Sequence, residues 1–146
     1  MATFGTPSPG PDDASRALRC ALALASETTI WSAERVATGG LPLEIGIGLH
    51  YGEAIVGSIG DGQRLDYLVI GDTVNVASRL ERLTREMDAQ IVVSDEPGAR
   101  IRNEGAGSDG LLDRFGRRGE EYVVGRVRPI AVWTTARQLQ PRNATT

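Results

Sequence analysis

The sequence predicts an α+β sandwich, and three observations predict it. Apolar residues recur at helical spacing over residues 14–37 and again over 73–87. The stretch LEIGIGLHYG (43–52) alternates with the period of a strand. QIVVSD (90–95), EYVVGRV (121–127) and PIAVWTT (129–135) are short β-rich runs, the last two adjoining. Helices and strands in this order imply a sheet with one face covered by two helices.

Taken from the start, MATFG (1–5) reads as the end of a strand and TPSPGP (6–11) as a turn-rich breaker. Asp12 or Asp13 caps the first helix, whose apolar side is Ala17, Leu18, Ala21, Leu22 and Leu24. Gly39 and Gly40 end it. In the alternating stretch, Leu43, Ile45, Ile47 and Leu49 point one way and Glu44, Gly46, Gly48 and His50 the other. Glycines along one strand face imply close approach of another backbone or of a ligand. AIVGSIG (54–60) is a strand, Asp61-Gly62-Gln63 a hairpin turn, and RLDYLVIG (64–71) the returning strand. The second helix buries Val74, Ala77, Leu80 and Leu83, and its far side carries the pairs Glu81/Arg85 and Arg82/Glu86. Residues 96–119 are glycine-rich and charged and read as irregular. Residues 138–146 form a polar C-terminal tail, which leaves 1–137 as one domain.

Composition bounds the function. The chain has 146 residues, 40% hydrophobic and 24% charged, ordinary for a globular domain. A net charge of −3 gives no general attraction to nucleic acid or an anionic membrane. All 16 basic residues are arginines, so any lysine chemistry would have to come from another chain. The single cysteine, Cys20, excludes an intrachain disulfide and fits a reducing compartment. No apolar run approaches the ~20 residues of a membrane span, and MATFG lacks the features of a signal peptide. These features predict a cytoplasmic protein.

Several apparent motifs fail on context. GIGLHYG spaces its glycines inside a strand, whereas a dinucleotide fingerprint needs them at a strand-to-helix turn. His50 is the only histidine and has no cysteine near it, which argues against zinc and for a hydrogen bond beside the sheet. The segment GDTVNVASRLERL (71–83) is different. Gly71-Asp72 precedes a helix N-terminus, where free N–H groups and the helix dipole favour an anion, and Asp72 reads as the helix cap. Asn75 and Arg79 stand one turn apart on one face. An amide that donates and accepts beside a forked, permanently charged donor suits a phosphorylated ligand. Spacing alone leaves two readings open, a solvated surface pair or an anion grip.

The string RLDYLVIGDTVNVASRLERL (64–83) closely resembles the signature of the class III nucleotide cyclases, the adenylate and guanylate cyclase family. ATFGTPSPGPDDASRALRCALAL resembles the family's segment after its second metal aspartate. IGIGLHYGEAIVGSIG is similar to the strand pair that follows, and GRVRPIAVW to the closing hairpin. The resemblance covers nearly the whole chain in register.

It implies a ferredoxin-like sandwich of the cyclase type that lacks the domain's first strand and first helices, with neighbouring strand edges left unpaired. It implies attack of a ribose 3′-hydroxyl on the α-phosphate of ATP, or of GTP, with loss of pyrophosphate. Carried onto this chain, Arg79 would bind the α-phosphate and Asn75 the ribose. Leu68 stands where the family places an aspartate or threonine against the purine, and Arg126 where it supplies a basic residue to the triphosphate. Family sites form between two cyclase domains, so the partner is expected to be another such domain, the same chain or a different one. The family's Mg²⁺ or Mn²⁺ is held by two aspartates upstream of the segment matched here, so metal is expected from a partner chain or a preceding segment. Asp61, in a superficially similar Gly-Asp hairpin, falls too late to be that ligand. The rival expectations are an inactive cyclase-homology module that regulates a partner, and a truncated product of a complete cyclase.

Overall fold

The protein is described by a computed structural model covering residues 1–60, 66–104, 110–122 and 128–136. The first apolar stretch becomes helix α1 (Asp13–Ala37), which buries Ala14, Leu18, Ala21 and Ala25 at the spacing of one helical face. Leu24, expected on that stripe, lies beside it and is exposed. Met1 to Gly5 form no strand, contrary to expectation.

The cap of α1 also differs from the sequence reading. Asp12 occupies the N-cap position without a side-chain cap bond. Asp13 turns back to accept a hydrogen bond from the Gly10 amide at 2.5 Å. The open amides of Ala14 and Ser15 donate to the Glu104 carboxylate at 3.1 and 2.8 Å, and the Ser15 hydroxyl donates to it at 2.5 Å. A carboxylate 90 residues away thus neutralises the positive end of the helix and fastens two distant segments together.

Strand β1 (Ile47–Leu49) is shorter than the alternating stretch around it. Its two faces behave as the alternation requires. Ile47 and Leu49 pack into the cluster of Leu18, Ile91 and Val93 beneath α1. Gly46 and Gly48 face helix α2 (Asp72–Glu86). A Cβ on Gly48 would stand 2.3 Å from both the Ala77 carbonyl oxygen and the Glu81 amide nitrogen. The approach foreseen from the glycines is that of a helix backbone.

Helix α2 is rolled so that this backbone rests on the strand. Its buried residues are therefore Val76, Leu80, Leu83 and Thr84, while Val74 and Ala77 are only half-buried. Val76, Leu80 and Leu83 join Val92, Ile130 and Val132 in a second cluster. On the solvent side, Arg85 and Glu81 pair at 3.0 Å, as their spacing suggests.

The main sheet has the order β1, β4 (Ala89–Ser94), β6 (Ile130–Ala136), β5 (Gly116–Glu121) and is mixed, with β1 parallel to β4 and the other pairs antiparallel. Along β4, Ile91 and Val93 face the α1 cluster and Val92 faces the α2 cluster. Helices consequently cover both faces, where one covered face was expected; α1 and α3 (Asp95–Asn103) share one and α2 takes the other.

Helix α3 replaces the first part of the irregular excursion predicted for 96–119. Pro97 and Gly98 read as breakers, yet a first-turn proline removes only an N–H that has no helical partner. Asp95 and Glu96 in the first turn and Arg100 and Arg102 in the last suit the helix dipole. Of the strand predicted for 121–127, residues 123–127 lie outside the described residues. Ahead of them the structure has a strand not foreseen from sequence, β5 (Gly116–Glu121), GRRGEE, which pairs with β6 (Ile130–Ala136). Such a strand has no apolar alternation, and its charges belong on an exposed sheet edge.

Strands β2 (Ile55–Ile59) and β3 (Asp66–Ile70) form a separate antiparallel hairpin. Every residue of β2 is exposed.

Two glycine substitutions separate seat from hairpin. Gly48→Ala is expected to destabilise the protein by about 3 kcal/mol, because a methyl meets backbone atoms that cannot turn aside. Gly57→Ala, where a Cβ meets nothing within 4 Å, should change stability by less than about 0.5 kcal/mol. Urea denaturation of the two variants checks both values.

Candidate functional site

Leu68, Asn75 and Arg79, three of the residues singled out by sequence, lie on one continuous strand–turn–helix unit. β3 ends at Ile70, Gly71 turns the chain at φ 147°, and α2 starts at Asp72. That dihedral belongs to glycine, since a Cβ would be strained there. Gly71 therefore holds the N-cap position, and Asp72 is the first helical residue where a capping role had been expected. Its carboxylate already sits at the positive end of the dipole. The helix terminus is accordingly a poor anion site by itself.

Asn75 and Arg79, the pair that the sequence offers for an anion, stand about one and two turns further along the helix. Asn75 is exposed and Arg79 half-buried, and their i, i+4 spacing puts them on one ridge beside the buried Val76–Leu80 ridge. No ion pair or hydrogen bond ties either one to another described residue. Arg79 differs in this from Arg16, Arg85, Arg100, Arg102 and Arg117, each of which pairs with a carboxylate. A half-buried guanidinium paired with no described residue leaves its donors available to an external oxyanion.

Leu68 lies on the hairpin, paired in register with Gly57, and is exposed. Ile55 faces Ile70 and Ile59 faces Asp66 in the same ladder, so Ile55, Ile59, Leu68 and Ile70 share one hairpin face. These four residues are between 44% and 69% exposed, an apolar surface of unusual size for so small an element. Leu68 thus adjoins the helix that carries Asn75 and Arg79 while belonging to an apolar face. Arg126 and Asp61 lie outside the described residues.

Below the site, the chain leaves β1 through His50-Tyr51-Gly52-Glu53. The His50 side chain is fully buried, and its Nδ1 lies 2.7 Å from the Ser94 hydroxyl and 3.6 Å from a Glu96 carboxylate oxygen. This is the beside-the-sheet histidine that the sequence implies. Thr73 was not singled out from sequence; its hydroxyl donates to the Glu53 carbonyl at 2.5 Å. A hydroxyl two residues after the Gly71 turn is the signal that could have found it.

Among the described residues no group of three His, Cys, Asp or Glu side chains could hold a metal ion. The donors among the described residues do not by themselves fit the Mg²⁺ or Mn²⁺ that the resemblance implies. A cavity of about 20 Å³ lined by Val93, Ser94, Arg102, Phe115 and Trp133 is remote from Asn75 and Arg79 in the fold, between α3 and the sheet. No helix among the described residues is long and apolar enough to cross a membrane.

Comparison with known proteins bears on the fold and the family. Adenylate cyclase 1 of Rhizobium meliloti (strain 1021) is 37% identical over 94 residues, which are 64% of this chain and 14% of that protein. An adenylate cyclase of Anabaena cylindrica is 46% identical over 57 residues, 38% of this chain and 11% of its own length. The chain therefore spans only a small part of these curated relatives. Among solved structures, the adenylyl cyclase CyaB from P. aeruginosa matches with a TM-score of 0.69 at 28% identity, covering 98% of this chain and 68% of that one. The guanylyl cyclase Cya2 matches with a TM-score of 0.67 at 29% identity, covering 96% and 66%. These likenesses bear out the cyclase-type α+β fold expected from the sequence. Residues 1–134 match the family described as the adenylate and guanylate cyclase catalytic domain. Carrying that match over most of its length, on a sheet and helices that match those of solved cyclases, the chain belongs to the class III nucleotide cyclase family.

Proposed function

We propose that this chain supplies the Asn75/Arg79 half of a nucleotide cyclase site shared between two cyclase domains. The observation that carries the reading is Arg79, half-buried on the signature helix and bonded to no described residue. The default reaction is that of an adenylate cyclase, with GTP as the alternative substrate. The 3′-oxygen of ATP bonds to the α-phosphorus, the bond to the bridging oxygen of the β-phosphate breaks, pyrophosphate leaves, and the hydroxyl proton passes to solvent. Arg79 would offset the charge that builds on the α-phosphoryl oxygens, where fixed donors act most strongly. Asn75 would hold the ribose so that its oxygen lies in line. Leu68 offers the base no hydrogen bond, which weakens discrimination between adenine and guanine at that contact. Arg126 remains a candidate for the triphosphate.

Dimerisation is supported by the hairpin. A two-stranded ribbon is marginal in water on its own, and this one exposes Ile55, Ile59, Leu68 and Ile70 on one face. Burying that face against a second cyclase domain, a copy of this chain or another chain, would stabilise it and place Arg79 beside the partner. The described residues fit no divalent ion, so this reading assigns Mg²⁺ or Mn²⁺ to residues outside them, in a partner or a preceding segment. Residues 1–137 act in it as the partial catalytic domain and 138–146 as a tail, within the cytoplasm. The rival reading is a cyclase-homology module that binds a partner domain and regulates it without turnover.

Complementation separates the two. The chain is mixed with a cyclase domain that retains its metal aspartates but carries alanine at its own counterpart of Arg79. Cyclic AMP formed from Mn²⁺–ATP supports the shared site; association without turnover supports the regulatory reading. In the active assembly, Arg79→Ala should lower turnover by several hundredfold, about 3–4 kcal/mol. The same variant should leave the urea stability of the isolated chain within about 0.5 kcal/mol, because no internal ion pair is lost. Ile55→Glu combined with Ile59→Glu should weaken association by at least about tenfold in sedimentation experiments, the hairpin face being removed from the interface.

A further inference from the structure

The glycine seat of α2 raises a question of registration. Gly46 and Gly48 present no side chains to the helix, and a Cβ on either would collide with Thr84 or with the backbone at Ala77 and Glu81. Such a surface fixes how deeply the helix sits. Thr84 seats its side chain over Gly46, and Val76, Leu80 and Leu83 interlock with Val92, Ile130 and Val132, so these contacts hold the helix from Val76 onward and leave its first turn beyond them. A slide by one residue would carry Arg79 about 1.5 Å, and misplacement by about 1 Å can cost a factor near 100 in rate.

We propose that Thr73 is the positioning residue that fixes α2, and with it Asn75 and Arg79, in register with the strand exit. This inference rests on the shared-site reading above and adds a residue to it. Three observations meet at Thr73. Its hydroxyl donates to the Glu53 carbonyl at 2.5 Å, joining the first turn of α2 to the segment that leaves β1. Gly52 packs directly beneath it, since a Cβ there would come within 2.6 Å of the Thr73 hydroxyl oxygen and 3.5 Å of its methyl. Gly71, with φ 147°, brings the chain into the helix in a conformation that leaves the entry angle to be held by contacts beyond it. Asn75 follows Thr73 by two residues and Arg79 by six, on the same rigid helix. An anchor at Thr73 therefore sets both at once. The His50–Ser94 contact at 2.7 Å fastens the start of the strand exit to β4, three residues before Glu53.

The test uses the chain paired with the complementing cyclase domain described above. Thr73→Val keeps the size and removes the donor; Thr73→Ser keeps the donor. Thr73→Val should lower kcat by about 10- to 100-fold with KM changed less than about threefold, the signature of a lost transition-state alignment. Thr73→Ser should return kcat to within about threefold of the parent. Hydrogen exchange on the isolated chain should show faster exchange at the amides of residues 73–77 in Thr73→Val, with the far-UV circular dichroism unchanged. Parental kcat in Thr73→Val, beside an active parent assembly, would overturn the positioning role and leave the shared site standing. An equal loss of kcat in Thr73→Ser would also overturn it, since the hydroxyl would then not be what matters. No turnover from the parent pairing would overturn the shared-site reading, and this inference with it.

Discussion

The architecture depends on one constraint, the contact of a helix backbone with a strand backbone at Gly46 and Gly48. Because the strand offers no side chain there, α2 sits closer to the sheet than helices that pack on leucines or valines. That closeness decides which residues of α2 are buried. It turns Val76, Leu80 and Leu83 onto Val92, Ile130 and Val132, and leaves the neighbouring ridge of Asn75 and Arg79 at the boundary with solvent. A bulkier strand would lift and roll the helix, and the guanidinium would leave its half-covered position. Fold and site are thus two results of the same absence of Cβ atoms.

Much of this was legible in the residues, and the reasons differ from element to element. Helices α1 and α2 show themselves by spacing, and strands β4 and β6 by dense β-branched runs. The glycine alternation in 43–52 announced a close approach before the approaching partner was known. What could not be read were elements whose stability comes from elsewhere. Strand β5, with the sequence GRRGEE, is held by its ladder to β6 and has no apolar face to betray it. Helix α3 hides behind Pro97 and Gly98, both buried, and is kept by Ile101 in the core and by Glu104 on α1. The cap of α1 was sought in the adjacent aspartates, but its acceptor lies 90 residues away. No local pattern can report such a partner.

The candidate site shows the same division. Asn75 and Arg79 follow from helical spacing together with a signature string, and both lie on the ridge that spacing implies. The role of Asp72 was misread, because the N-cap position needs a backbone conformation that Gly71 adopts and the aspartate does not have to. Leu68, read from the resemblance as standing against the base, lies opposite Gly57 on the hairpin face that also carries Ile55, Ile59 and Ile70. Thr73 escaped notice because a hydroxyl reaching a carbonyl 20 residues earlier leaves no periodic trace.

The two margins of the main sheet are chemically unlike. At one, β5 carries Arg117, Glu120 and Glu121, with Arg117 and Glu120 already paired at 3.7 Å. At the other, β1 offers Ile47, Gly48 and Leu49, and among the described residues it is joined only to β4. An incoming polypeptide would have to strip water from several ions to lengthen the ladder at the first margin. At the second it would meet uncharged main chain ready to bond. Growth of this sheet is therefore polar, open on the side of the glycines and closed on the side of the arginines.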